Sequence, residues 1–173
     1  ANHDETTKDF ADKTYDRAHV MELPRHREFF KPKRSKARPP VSLTALQGAF
    51  SAAQGLYQKQ ATDAYRFVDG SFADILGRRF RVGWGNRLER QMLDFVPVVL
   101  AGGGTLTEAV DHVLSTKLLR KIRDRHDTRP EDLEALRIAV EDAWPRLRSE
   151  GEPLKSKEII RSELRRLGAD EAA

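Results

Sequence analysis

From Asn86 to Leu167 apolar residues recur at spacings of three and four, and no other feature restricts the fold as strongly. Leu88, Met92, Phe95, Val96 and Val99 share one face of a 3.6-residue period, while Arg87, Arg90 and Asp94 point elsewhere. Pro97 is expected to kink or end that helix. Gly102, Gly103 and Gly104 break the pattern, and Thr105 with Glu108 then has the spacing of a capping box. It opens a helix through Leu106, Val110, Val113, Leu114, Leu118 and Ile122. Thr128 and Glu131 repeat the spacing ahead of a stripe of Leu133, Leu136, Val140, Ala143, Trp144 and Leu147. A final helix carries Ile159, Ile160, Leu164 and Leu167. Upstream, Ser42 caps a helix containing Leu43, Leu46, Ala49, Phe50 and Ala53, and a second helix is expected from Thr62 to Leu76, weakened by Gly70. The expected fold is mostly α.

The 173 residues suffice for one ordinary core or two small ones. A charged fraction of 34% and a mean hydropathy of −0.64 describe a water-compatible chain without the apolar run a membrane helix requires. Cysteine is absent, which excludes disulfides, thiol catalysis and cysteine-ligated zinc, and fits a reducing interior. No basic-then-apolar leader opens the sequence. A cytoplasmic location is therefore expected.

The 31 basic and 27 acidic residues are unevenly spread. Arg25, Arg27, Lys31, Lys33, Arg34, Lys36 and Arg38 face the single acid Glu28, with Pro32, Pro39 and Pro40 opposing any helix. This stretch is read either as a solvated connector or as a strip that contacts nucleic-acid phosphates through Lys33, Arg34, Lys36 and Arg38. It divides the chain into 1–24, a basic linker 25–41, a helical domain 42–168 and a frayed tail 169–173. Within the first part the apolar run Ala18 to Leu23, closed by Pro24, suits a short buried strand. Its sheet partners are expected upstream of Ala1.

Catalytic motifs are sparse. None of the five histidines stands at metal-site spacing from a carboxylate, so no metal site is expected. Gly102-Gly103-Gly104-Thr105 precedes a helix as a phosphate cradle would, yet lacks the lysine and the preceding strand, and is better read as a helix-breaking turn. The sequence contains no G-x-x-x-x-G-K-[ST], no G-x-S-x-G and no apolar strand ending in paired acids.

The segment Asn2-His3-Asp4-Glu5-Thr6-Thr7, followed by Asp16-Arg17-Ala18 and the apolar Val20-Met21-Glu22-Leu23, resembles the AAA+ ATPases related to dynein and to McrB, the motor subunit of modification-dependent restriction systems. Gly83-Trp84-Gly85-Asn86-Arg87 is similar to the second sensor element of an AAA+ lid, and Asp111 through Lys117-Leu118-Leu119-Arg120-Lys121-Ile122 to a helix that follows it. The resemblance implies the end of an α/β core followed by a helical lid. It implies a motor that hydrolyses ATP or GTP with Mg2+ in the complete protein, in a homo-oligomeric ring, as a hexamer, acting on nucleic acid or protein with a possible nuclease partner and a possible role in restriction. In that reading Asn2 is the first sensor holding the attacking water, Arg17 the arginine finger offered to a neighbouring subunit, and Arg87 the second sensor. Each has a plainer use: Asn2 closing a turn, Arg17 pairing with Asp16 or Glu22, Arg87 solvated in a first helical turn. The chain by itself holds neither the phosphate-cradling loop nor the magnesium-binding acids. The competing reading is a non-catalytic helical module that binds nucleic acid through the basic stretch 25–38.

The two readings of the basic stretch separate by salt. If it contacts phosphates, replacing Lys33, Arg34, Lys36 and Arg38 by alanine flattens the dependence of log K on log salt by roughly 0.7 to 0.9 per lost contact. Unchanged slopes in a binding titration assign these charges to solvent.

Overall fold

The computed structural model describes residues 17–18 and 39–168, and all structural statements below concern these residues. Asn2, the basic cluster with Lys33, Arg34, Lys36 and Arg38, the tail 169–173 and, apart from Ala18, the expected strand lie outside them. Among the described residues there is no strand. Five α-helices follow one another: α1 (Leu43–Phe80), α2 (Asn86–Ala101), α3 (Leu106–Val113), α4 (Pro130–Ala143) and α5 (Leu154–Arg166). None is long and apolar enough to cross a membrane.

Helix α1 is the spine of the bundle. The Ser42 hydroxyl accepts the Ala45 N–H at 3.1 Å and caps it as expected. Where the sequence suggests two helices, 38 residues run on with a kink at Tyr57, whose φ of −115° and ψ of 16° leave the helical region. The kink has local causes in Gly55 just before it and in the Thr62 hydroxyl, which donates to the Gln58 carbonyl at 3.0 Å. Beyond the kink Ala61, Ala64, Val68, Phe72 and Leu76 form one buried stripe. Before it, Leu43, Leu46 and Phe50 repeat that spacing, yet stand exposed at 69%, 44% and 44%. The N-terminal half of α1 thus runs past the bundle and leaves an apolar face uncovered by any described residue. No charged side chain occurs from Val41 to Gln58.

Helix α2 pairs with α1 along most of its length, burying Leu88, Met92, Val96 and Pro97, with Gln54 Nε2 donating to Asp94 at 2.8 Å across the pair. Of the two expected effects of Pro97, a kink or an end, it does not end α2. The helix continues to Ala101 because burial of Val96 and Pro97 against its neighbours compensates the one lost N–H donor. The three glycines form a turn. Gly103 has φ +86°, and a side chain on Gly104 would meet Val99 Cγ1 at 2.6 Å. Thr105 and Glu108 form the full capping box of α3, with Glu108 N–H donating to the Thr105 hydroxyl at 3.1 Å and Thr105 N–H to the Glu108 carboxylate at 2.7 Å.

The Thr128 and Glu131 pair forms no such box. Pro130 takes the first position of α4, which makes Arg129 the cap residue and leaves the buried Thr128 hydroxyl outside the helix. The stripe of α4 is buried as the period requires, at Leu133, Leu136, Val140 and Ala143, and Trp144 and Leu147 follow in a short 3-10 turn. Phe67 sits between Phe72 and Trp144 in two edge-to-face contacts of 5.8 and 5.9 Å, joining α1 to the end of α4. Arg79 of α1 meets Asp132 of α4 at 2.6 Å. Helix α5 closes the bundle with Ile160 and Leu164.

This division of α1 gives a direct contrast. Phe72 is fully enclosed, so Phe72→Ala lowers unfolding free energy by about 3 to 5 kcal/mol. Phe50→Gln changes it by no more than about 0.5 kcal/mol. Urea unfolding followed by circular dichroism measures both. A large loss at position 50 would mean that this face is covered.

Candidate anion-binding cleft

The cleft forms where α1 hands over to α2. Arg81 leaves α1 in the left-handed region with φ 54°, its N–H on the Gly77 carbonyl, and the Val82 N–H returns to the Leu76 carbonyl at 3.0 Å. That turn buries Val82 and sends Trp84 and Gly85 across the start of α2. Gly85 is the cap residue and has no side chain with which to bond the first N–H groups of the helix. Those donors and the positive end of the helix dipole therefore face outward.

Opposite lies the chain after α3, whose geometry is set by hydroxyls. The Thr116 hydroxyl donates to the His112 carbonyl at 2.6 Å, and the Ser115 hydroxyl donates to the same oxygen at 3.1 Å. With that carbonyl engaged by side chains, the helix widens into a π turn over Leu114–Leu118 and then tightens into a 3-10 turn over Leu119–Ile122. The sequence period alone suggests one regular helix to Ile122; the hydroxyls account for the difference. Leu114, Leu118, Leu119 and Ile122 are nevertheless buried. The preceding residue, Asp111, fixes this segment to α5. Its buried carboxylate accepts the Lys155 and Ser156 N–H groups, each at 2.9 Å, and the Ser156 hydroxyl at 2.6 Å, capping a helix that lacks a cap of its own.

Between these walls is a cleft of about 320 Å³ lined by Trp84, Asn86, Arg87 and Gln91 on one side and Lys117 and Lys121 on the other, with Leu88 and Leu118 at its floor. Arg87 is exposed and pairs with no acid among the described residues. Lys121 is half-buried, and Lys117 is 5% exposed. Tyr65 packs against the same core as Trp84; burial first, then the charges of Asp69 and Glu89, push its phenol above the ordinary value. Three cations and a helix N-terminus converge here, and none of the described lining residues is a carboxylate. Such a cleft suits an oxyanion of several charges.

Of the residues given a functional role from the sequence, Arg87 lines the cleft, beside Trp84, Gly85 and Asn86 of the same motif. Arg17 is exposed and lies near it through its neighbour: the Lys117 ammonium donates to the Ala18 carbonyl. Asn2 and the basic cluster fall outside the described residues. Sequence reasoning missed Lys117 and Lys121 as site residues, although their four-residue spacing places both on one side of a helix. Among the described residues, no group of three or more His, Asp or Glu could hold a metal ion. Comparison with protein-family models, curated proteins and solved structures finds no match to this chain.

Proposed function

We propose that this chain is the C-terminal part of an AAA+ nucleoside triphosphatase, its helical body serving as the lid and its cleft receiving nucleotide phosphates. The observation that carries the reading is the meeting of Arg87, Lys117 and Lys121 at the uncapped start of α2. Arg87 is the residue that the sequence resemblance makes the second sensor. A guanidinium at a helix N-terminus forks onto phosphate oxygens, and its loss of that contact after hydrolysis would let the lid move. A mostly helical bundle is the architecture the resemblance implies for a lid. In this reading Arg17 acts as the arginine finger toward a neighbouring subunit, Asn2 positions the attacking water, and ATP or GTP with Mg2+ is bound by the complete, ring-forming protein. The transported polymer and a role in restriction follow from the resemblance alone.

The sequence carries neither a Walker lysine in its loop nor an apolar strand that ends in paired acids for magnesium. The purified 173 residues therefore hydrolyse neither ATP nor GTP above background with magnesium, while retaining weak, salt-sensitive affinity for inorganic tripolyphosphate. Arg87→Ala reduces that affinity by roughly tenfold, the equivalent of one charge-assisted contact of about 1.4 kcal/mol. Robust turnover by the clean chain, or equal binding by Arg87→Ala in calorimetry, contradicts the reading.

A further inference from the structure

The N-terminal half of α1 is apolar on one side and uncharged on every side. Leu43, Leu46 and Phe50 continue the buried stripe of the second half, Ala49 falls beside them at helical spacing, and Leu56, 70% exposed, stands at the margin. Arg38 and Lys59 bound the longest uncharged stretch of the sequence, in a chain of which 34% is charged. An ordinary surface helix keeps its free side charged, whereas this one offers Thr44, Gln47 and Ser51 there. Contiguous apolar side chains left this open mark an interaction surface. The charge pattern selects the occupant. A helix that lies on a lipid surface brings Lys or Arg to the headgroups, and a partner drawn by charge needs an opposite charge to meet; the stretch supplies neither. Two copies of this chain each carry a net charge of +4 and repel one another at long range. Facing each other through this stretch they oppose no like charges, and each covers the apolar strip of the other.

We propose that the N-terminal half of α1 pairs with the same half-helix of a second copy around a two-fold axis. In a two-fold contact a patch meets its own counterpart. The strip runs from Leu43 to Leu56, so an axis through its middle sets the two helices antiparallel and Phe50 against Phe50 of the second copy. The helix before the kink, Leu43 to Tyr57, is about 22 Å long at 1.5 Å per residue. Two such strips laid together bury somewhat under about 1,000 Å² over both copies, the size of a weak, reversible pair. The dissociation constant is then between about 10 and 100 μM, and the dilute chain is a single copy whose strip is open to water. The contact closes on itself, unlike the head-to-tail contact of a ring, and it stands independently of the phosphate reading of the cleft.

Sedimentation velocity of the full chain over a micromolar concentration series reads the pairing. The expected result is a shift from one copy to two with a single dissociation constant, which does not weaken as salt is raised because the contact holds no charge. Phe50→Glu sets like charges face to face across the axis and raises that constant by roughly tenfold or more. Phe50→Lys does the same, and an equimolar mixture of the two variants pairs again, since the axis then joins opposite charges. Position 50 is open in the single copy, so circular dichroism and urea unfolding of the dilute variants match the parent chain. Wild-type chain that stays a single copy throughout the series overturns the proposal. A pair that Phe50→Glu leaves intact, or a mixture of variants that fails to pair, overturns it as well. Two other occupants give their own signals, and each also contradicts it. A large loss of unfolding free energy in dilute Phe50→Glu assigns the strip to a segment of the same chain. Co-sedimentation of the wild-type chain with phosphatidylcholine vesicles, without pairing in solution, assigns it to lipid.

Discussion

The buried carboxylate of Asp111 is the constraint on which the cleft end of the bundle depends. It accepts three hydrogen bonds from the first turn of α5 and so fixes α3 and α5 together at one point. The next residue, His112, supplies the carbonyl that Thr116 and Ser115 engage, so the π turn begins from an anchored place. Together with the burial of Leu114, Leu118, Leu119 and Ile122, that anchor sets the relation of Lys117 and Lys121 to α2. A charge buried in this way costs desolvation, which its donors must offset. Here they do so while satisfying N–H groups that α5 would otherwise leave unbonded.

The cleft then follows from two departures from regular helix. On one side α1 ends in a left-handed residue and α2 begins on a glycine, which leaves helix donors uncovered. On the other, a π turn and a 3-10 turn replace what the apolar period describes as one helix. Both sides are supported by a dry core of Phe72, Leu76, Met92, Leu118 and Ile122. The cleft thus lies where two local irregularities bring charged side chains together. The exposed apolar half of α1 instead continues the core stripe beyond the body of the fold.

Much of the fold was legible because its signals are local. Ser42 and the Thr105 and Glu108 pair cap their helices as the spacing demands, the stripe of α4 is buried where the period puts it, and those of α2 and α5 are buried or half-buried. Thr128 and Glu131 misled because Pro130 claims the first helical position regardless of what precedes it. Pro97 does not end its helix because tertiary burial outweighs one missing donor. The kink at Tyr57, the π turn and the exposure of Leu43, Leu46 and Phe50 were illegible for a common reason: periodicity tells which residues share a face, not what lies against it. Arg87 was reachable through its motif. Lys117 and Lys121 became site residues only once α2 was seen facing them.

The central claim is that an oxyanion sits between the first turn of α2 and the segment from Lys117 to Lys121. Titrating isotopically labelled protein with inorganic tripolyphosphate at low salt, with amide resonances followed by NMR, tests it most directly. The account predicts that the largest shifts fall on Asn86, Arg87 and Leu88 and on the amides of 117–121, saturating together with one dissociation constant. Shifts that are absent there, or that fall mainly on scattered surface lysines without saturating, would contradict it.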